Sequence, residues 1–153
     1  MASSHDLPVE GRFAGTQHRF PVRVYFEDTD LSGVVYHANY LRYMERARSD
    51  MLRLAGIDQR GFHDAGEGAY AVSALAIKYR RPAKLDDLLV VITELTAIRA
   101  ASVDIHQQVM LGDQILSDAG VTAVLVGASG KPRRQPREWI EAFERLLIPG
   151  TNT

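Results

Sequence analysis

The densest group of side chains that could carry out chemistry lies in residues 27–40. The run Glu27-Asp28-Thr29-Asp30 supplies three carboxylates, and His37 follows seven residues after Asp30. A carboxylate can attack a carbonyl carbon or activate a water molecule, and a histidine can hold a leaving group near neutral pH. A strand is predicted before this segment and a helix after it, so we expect a loop that is exposed but anchored at both ends.

The predicted helix provides a second set of groups that could take part in the chemistry. Asn39 is a typical N-cap residue, and Tyr40, Met44, Ala47 and Met51 follow at the spacing of one helical face. A helix covering residues 40–55 therefore begins directly after the carboxylates. Its first turn presents free main-chain N–H groups, which can stabilise an oxyanion at a reacting carbonyl group.

Other interpretations of the same residues remain open. An Asp-x-Asp run before Gly33 is also typical of turns, in which carboxylates accept bonds from nearby N–H groups. A single histidine near a helix start is often only structural. No further ligand at a suitable spacing follows, so we predict no metal site here.

The remaining chain predicts an α+β fold in which one long helix covers one sheet. Residues 20–27 alternate as a strand, and Gly56 ends the long helix. Gly112-Asp113 predicts a hairpin turn, and a short terminal helix is predicted over residues 136–147. The other predicted strands cover residues 70–79, 88–98, 102–111 and 115–127.

Composition excludes several classes of function. The 153 residues suit one domain, and 18 basic against 19 acidic residues give a net charge of −1, which does not favour nucleic acid. The absence of cysteine excludes thiol chemistry and iron–sulfur clusters.

We divide the chain into a polar N-terminal arm (1–19), one domain (20–147) and a tail (148–153). With no signal-like or membrane-length apolar run, we expect a cytoplasmic protein.

Two basic clusters could bind phosphate groups. The first consists of Lys78, Arg80, Arg81 and Lys84, and the second consists of Lys131, Arg133, Arg134 and Arg137. A solvated, charged edge is the alternative interpretation of each cluster, and neither is interleaved with aromatic residues as nucleic-acid surfaces are.

Three segments together resemble a known family. They are Val22-Arg23-Val24-Tyr25-Phe26-Glu27-Asp28-Thr29-Asp30, then Gly33-Val34-Val35-Tyr36-His37-Ala38-Asn39-Tyr40, then Glu45-Arg46-Ala47-Arg48. This pattern resembles the hotdog-fold acyl-CoA thioesterases, in particular the Tol–Pal-associated (YbgC) group and the related 4-hydroxybenzoyl-CoA thioesterases. Residues 79–87 are also similar to the segment that follows the second strand in that family.

The resemblance implies a five-stranded antiparallel sheet wrapped around one long central helix, with a short C-terminal helix. It also implies homodimers in which two sheets join, often homotetramers, with active sites at the dimer interface. No metal and no cofactor is expected, because coenzyme A is part of the substrate. The expected substrate is an acyl-CoA or an acyl-carrier-protein thioester, and a link to the Tol–Pal system is a further expectation.

The resemblance implies roles for the residues that occupy the positions of the family's site residues. Asp30 and His37 are the expected catalytic residues, and Gly33 and Tyr36 are expected to bind substrate. Asp28 corresponds to a structural position. Leu31-Ser32 departs from the small residues that relatives often have at these positions.

The expected activity is hydrolysis of a thioester to a free carboxylic acid and coenzyme A. Asp30 would act either as general base or as nucleophile, and the sequence leaves both open. One alternative is a protein that binds acyl-CoA or a partner on the same fold without hydrolysis. Another is an enoyl-CoA hydratase, whose different spacing of Asp and His is not found here.

Overall fold

A computed structural model describes residues 3–149 of the chain. The strands are β1 (Arg12–Ala14), β2 (Gln17–Arg23), β3 (Ala69–Tyr79), β4 (Leu88–Ile98), β5 (Ser102–Leu111) and β6 (Gln114–Val126). The helices are α1 (His37–Leu54), α2 (Gln59–Asp64) and α3 (Arg137–Glu144), and a short 3-10 turn covers Phe26–Asp28. Among the described residues, no helix is long and apolar enough to cross a membrane.

The strands form one sheet in the order β1-β2-β4-β5-β6-β3, and every neighbouring pair is antiparallel. The expected α+β hotdog arrangement, a long helix packed on an antiparallel sheet, is confirmed. The strand count was wrong, because six strands are present where five were expected. Gly15, with φ of 62°, makes a tight turn that pairs β1 with β2, and a strand of three residues is too short to leave a periodic pattern.

The N-terminal arm predicted over residues 1–19 differs from the structure at its C-terminal end. Residues 12–14 and 17–19 lie in strands, and the N–H of Gly11 donates to Asp50 Oδ2 on α1 at 2.9 Å. Asp50 Oδ2 also lies 2.7 Å from Nε2 of His18, and both side chains are buried. Of the tail predicted over residues 148–153, only Ile148 and Pro149 are described.

Helix α1 supplies the centre of the core. The predicted apolar face of Tyr40, Met44, Ala47 and Met51 is buried, as the sequence pattern indicated. The facing strands contribute alternate residues, so that β4, β5 and β6 each bury every second side chain along most of their length. This alternation is expected for a sheet with one face covered by a helix.

Strand β3 is the exception. It lies at the edge of the sheet, and nine of its eleven residues are exposed, although the sequence from Ala69 to Ile77 carries no charge. Val72, Leu75 and Tyr79 are each between 41% and 48% exposed. An apolar strand with a free edge is unusual on the surface of a monomer.

Candidate active site

The loop between β2 and α1 folds into a tight hairpin. The N–H of Asp30 donates to the carbonyl oxygen of Val34 at 2.9 Å, and the N–H of Gly33 donates to that of Asp30 at 3.0 Å. Thr29 and Val35 form an antiparallel bridge below the turn. Gly33 has φ of 83°, a conformation that disfavours any residue with a Cβ atom. The turn therefore brings Asp30 next to the residues that enter α1.

The segment after β3 anchors this hairpin. The N–H of Val35 donates to the carbonyl oxygen of Ala83 at 2.8 Å, and Val34 forms an isolated bridge with Lys84. The N–H of Ala83 in turn donates to the hydroxyl oxygen of Tyr40 at 2.9 Å. Because Val35 and Ala83 are buried, they hold the exposed turn at Asp30 in a fixed position.

Helix α1 begins at His37, three residues before the predicted start, and Asn39 is not its N-cap. Tyr36 occupies the N-cap position, and no side chain caps the helix. Asn39 instead donates through Nδ2 to the carbonyl oxygen of Asp28 at 2.9 Å, which also accepts the N–H of Tyr36 at 2.9 Å. The N–H of Asn39 donates to the carbonyl oxygen of Tyr36 at 2.9 Å, whereas the N–H groups of His37 and Ala38 have no acceptor within the helix, so this end attracts negative charge.

The carboxylate of Asp30 is exposed and held by its own turn. Oδ1 accepts hydrogen bonds from the hydroxyl of Ser32 at 2.5 Å and from the N–H of Ser32 at 2.9 Å. These bonds lower the pKa of Asp30 below the usual value for an aspartate. Asp30 is therefore ionised at neutral pH, and Oδ2 remains available to attack a carbonyl carbon or to accept a proton from water.

The His37 side chain lies among aromatic rings at the start of α1. Its ring centroid is 4.4 Å from that of Tyr36 and 6.1 Å from that of Tyr79. The hydroxyl of Tyr79 donates to the main-chain carbonyl oxygen of His37 at 3.0 Å. The exposed imidazole can thus meet a ligand that approaches the helix start.

The four predicted site residues lie on one continuous segment that the structure folds back on itself. Asp30 and Gly33 form the turn, and Tyr36 and His37 lead into α1. The role of Tyr79 could not be predicted, because it lies 42 residues away from His37 in sequence. Asp28 holds the base of the loop, since its Oδ2 accepts the N–H of Tyr25 at 2.9 Å.

The basic clusters are partly engaged in ion pairs. Arg80 pairs with Asp118 at 3.0 Å, and Arg133 pairs with Glu67 at 2.9 Å while its guanidinium lies 5.0 Å from the centre of the Phe62 ring. Within residues 3–149, no three His, Asp or Glu side chains are arranged to hold a metal ion.

Comparisons with known proteins agree on one family. The family model described as the Thioesterase superfamily matches residues 32–117. The chain is 44% identical over 128 residues to the acyl-CoA thioesterase YbgC of Haemophilus influenzae, covering 83% of this chain and 94% of that protein. It is 39% identical over 132 residues to the acyl-CoA thioester hydrolase YbgC of Escherichia coli, covering 85% of this chain and 98% of the relative.

A solved structure supports the same relationship. The crystal structure of a probable thioesterase from Bartonella henselae superposes with a TM-score of 0.75 at 37% sequence identity. The match covers 78% of this chain and 99% of that protein. The matched region of the family model begins at Ser32, two residues after Asp30, and covers both long and short helices α1 and α2, strands β3, β4 and β5, and the first residues of β6.

Proposed function

The chain belongs to the thioesterase superfamily, and from this premise we propose that it hydrolyses acyl-CoA thioesters to a free carboxylic acid and coenzyme A. The observation that carries the proposal is the anchored turn that presents the ionised carboxylate of Asp30 beside the uncapped start of α1. The names of the two YbgC relatives, both described as acting on acyl-CoA, support this substrate class.

In the proposed reaction the thioester carbonyl oxygen lies at the first turn of α1. The N–H groups of His37 and Ala38 stabilise negative charge on that oxygen as the carbonyl carbon becomes tetrahedral. Asp30 either takes a proton from the attacking water or attacks the carbon itself to form a mixed anhydride that water then hydrolyses. In both routes a C–O bond forms and the C–S bond breaks, and the departing thiolate of coenzyme A takes up a proton.

His37 and the neighbouring residues complete the proposed site. The His37 imidazole orients the thioester or assists departure of the thiolate, and the Tyr36 ring at 4.4 Å holds the imidazole in place. The positive φ of Gly33 allows the tight turn, and this turn presents the Asp30 carboxylate to the substrate. The phosphate groups of coenzyme A meet the cluster that contains Arg81 and Lys84, because the bridge between Val34 and Lys84 joins this cluster to the loop.

We also propose a homodimer joined through the free edge of β3. Its exposed apolar residues, with Leu75 near the centre of the strand, are suited to burial against a second copy. A two-fold axis that pairs a strand with its own copy makes the pairing antiparallel and the sheet continuous. Two such dimers can then form a tetramer.

The remaining parts of the proposal follow from family membership. The reaction uses no metal and no bound cofactor, and acyl-carrier-protein thioesters are alternative substrates. The protein acts in the cytoplasm, and a physical link to the Tol–Pal system is proposed from the family resemblance alone. Activity that survives dialysis against a chelator would support the cofactor-free reaction.

The test is release of free thiol from a panel of acyl-CoA thioesters of different chain length. Because the protein has no cysteine, a thiol reagent detects only the coenzyme A product. Turnover of at least one member supports the proposal. Saturable binding without thiol release would favour the non-hydrolytic alternative, and hydration of crotonyl-CoA would favour the hydratase.

A further inference from the structure

A cavity of about 290 Å³ lies between α1 and the first residues of β3, well removed from the start of α1. Its inner wall is apolar and consists of Met51, Leu52, Val103, Ile105, Ala123 and Phe143. Polar groups occur at its rim, where Glu45, Arg48 and Ser49 project from α1. The volume is near the lower end of the range for small-ligand pockets, which suits a short chain of atoms.

The side chain of Arg48 is fixed in this cavity by a buried amide. Its Nη1 donates to Oε1 of Gln107 at 2.9 Å. Nε2 of Gln107 donates to the carbonyl oxygen of Met44 at 3.0 Å and to Oγ1 of Thr93 at 2.9 Å. Because Nε2 has two acceptors, the amide oxygen must face Arg48. The guanidinium group is therefore held in one position before any ligand arrives.

The guanidinium of Arg48 makes no ion pair with another described residue. Within residues 3–149, no carboxylate lies within 4.0 Å of the guanidinium, and Gln107 engages only one of its five N–H donors. Burial lowers the pKa of Arg48, since water solvates the charge poorly. Glu45 lies three residues earlier on the same cavity rim, and its negative charge acts in the opposite direction and raises the pKa of Arg48, although its exposure lets solvent screen the charge. The N–H donors of Arg48 that Gln107 does not engage can therefore bind an anionic group in the cavity.

The cavity lies far along α1 from the turn of its own protomer. Arg48 lies eleven residues after His37 on α1, which corresponds to about 16 Å along the helix. Along β3, Tyr79 contacts the helix start, whereas Tyr70, Ala71 and Val72 line the cavity. In the proposed antiparallel pairing of two β3 strands, the cavity end of one strand faces the Tyr79 end of the other. The cavity then opens towards the turn of the other protomer.

We propose that this cavity receives the acyl group of a thioester that is attacked at the other protomer's turn, and that Arg48 selects acyl groups ending in a carboxylate. The substrate class is thus a short dicarboxylic acyl-CoA, whose free carboxylate accepts two N–H bonds from the guanidinium. This inference rests on the proposed hydrolysis of acyl-CoA and on the proposed dimer.

The first test compares glutaryl-CoA with 5-methylhexanoyl-CoA, which has the same shape but ends in two methyl groups. We expect a higher kcat/KM for glutaryl-CoA, and we expect Arg48→Met to reduce the ratio of the two values at least about tenfold, as for loss of a charged hydrogen bond. Arg46→Met is the matched control, because Arg46 is exposed on the same helix and does not line this cavity. Its ratio should not change.

The outcomes separate this inference from the proposed function. Hydrolysis of 5-methylhexanoyl-CoA without a preference for glutaryl-CoA would overturn the role of Arg48 and leave the thioesterase proposal intact. Hydrolysis of neither compound nor of any other acyl-CoA would overturn both. Because Arg48→Met also removes the bond to Gln107, Arg48→Lys provides a folded variant that keeps the charge. It should retain part of the preference, and an unchanged ratio in both variants would contradict the inference.

A second test asks which protomer supplies the cavity. Asp30→Asn and Arg48→Met chains are co-expressed in equal amounts and assayed with glutaryl-CoA. A mixed dimer then contains one site with both native residues and one site with neither. Since half of the dimers are mixed, activity should recover to about a quarter of the wild-type value. Activity no greater than the mean of the two parent variants would show that the cavity does not serve the other protomer.

Discussion

The hydroxyl of Tyr79, the last residue of β3, donates a hydrogen bond to the carbonyl oxygen of His37, the first residue of α1, across 3.0 Å. The Tyr79 ring also packs edge-on against Tyr40, with 5.6 Å between the ring centroids. The start of the helix is thus fixed by the same strand whose free edge is proposed to form the dimer. A substitution that shifts this edge of β3 should therefore also shift the start of α1 beside the proposed catalytic turn.

Removal of this hydroxyl should weaken activity without unfolding the protein. We expect Tyr79→Phe to lower kcat/KM for acyl-CoA by about two- to tenfold, since a net hydrogen bond contributes about 0.5–1.5 kcal/mol. The control is Tyr25→Phe, which removes a hydroxyl from a residue that is 64% exposed. Equal kcat/KM values for wild type and Tyr79→Phe would contradict a positioning role for this bond.

The ionisation of Asp30 should depend on Ser32. The hydroxyl and the N–H of Ser32 both stabilise the carboxylate, so they lower its pKa. Ser32→Ala removes the hydroxyl bond and should raise the pKa of Asp30 towards the ordinary aspartate value. Carbon-detected NMR titration of the Asp30 carboxyl carbon in both proteins measures this change. A titration midpoint that does not rise in Ser32→Ala would show that the hydroxyl does not stabilise the anion.

The edge of β3 should control assembly. Leu75 is 41% exposed, and a lysine at this position would place a charge in the proposed interface. We expect Leu75→Lys to sediment as a monomer and to lose most of its thioesterase activity. Val9→Lys, which changes a residue that is 69% exposed in the N-terminal segment, should change neither property. A Leu75→Lys protein that sediments as wild type does would place the interface elsewhere.

Mild acid should destabilise the fold through His18. Burial lowers the pKa of His18 more than the neighbouring Asp50 raises it, so the folded state binds the proton less readily than the unfolded chain. Below about pH 6.5 His18 becomes protonated in the unfolded chain but stays neutral in the folded protein. The free energy of unfolding therefore decreases as the pH is lowered. Urea unfolding between pH 7.5 and about pH 5.5 should show this decrease.

The same experiment on His18→Gln provides the control. This variant should be less stable than wild type at pH 7.5, because the bond to Asp50 is changed, but its stability should depend less on pH. An equal slope in both proteins would assign the pH dependence to other groups.

The elements with strong periodicity could be predicted from the sequence. The bounds of β4 and β5 agree with the predicted residues 88–98 and 102–111, because long alternating runs have one face on the core. The buried face of α1 was also predictable from the spacing of Tyr40, Met44, Ala47 and Met51. Short elements such as β1 and α2 were missed, since three or six residues carry too little pattern.

The start of α1 shows why local rules fail at the site. Asn39 is a favourable N-cap residue, but its amide is used by the carbonyl oxygen of Asp28, and the helix extends back to His37. Contacts between distant segments, such as Val35 with Ala83, decide this geometry. The cavity at Arg48 could not be predicted from the sequence either. Its lining residues come from separate elements, and their positions depend on how α1 packs on the sheet beside β3.

Thioester hydrolysis should depend on the Asp30 carboxylate, and the measurement that tests this dependence is kcat/KM of Asp30→Asn for the best acyl-CoA substrate. The substitution keeps the size of the side chain but removes its charge and its ability to accept a proton. We expect a loss of at least about 10²-fold, the usual contribution of a catalytic acid or base. Glu27→Gln, which neutralises an exposed carboxylate three residues away, should retain activity near that of wild type. A folded Asp30→Asn protein with wild-type kcat/KM would show that the Asp30 carboxylate is not catalytic.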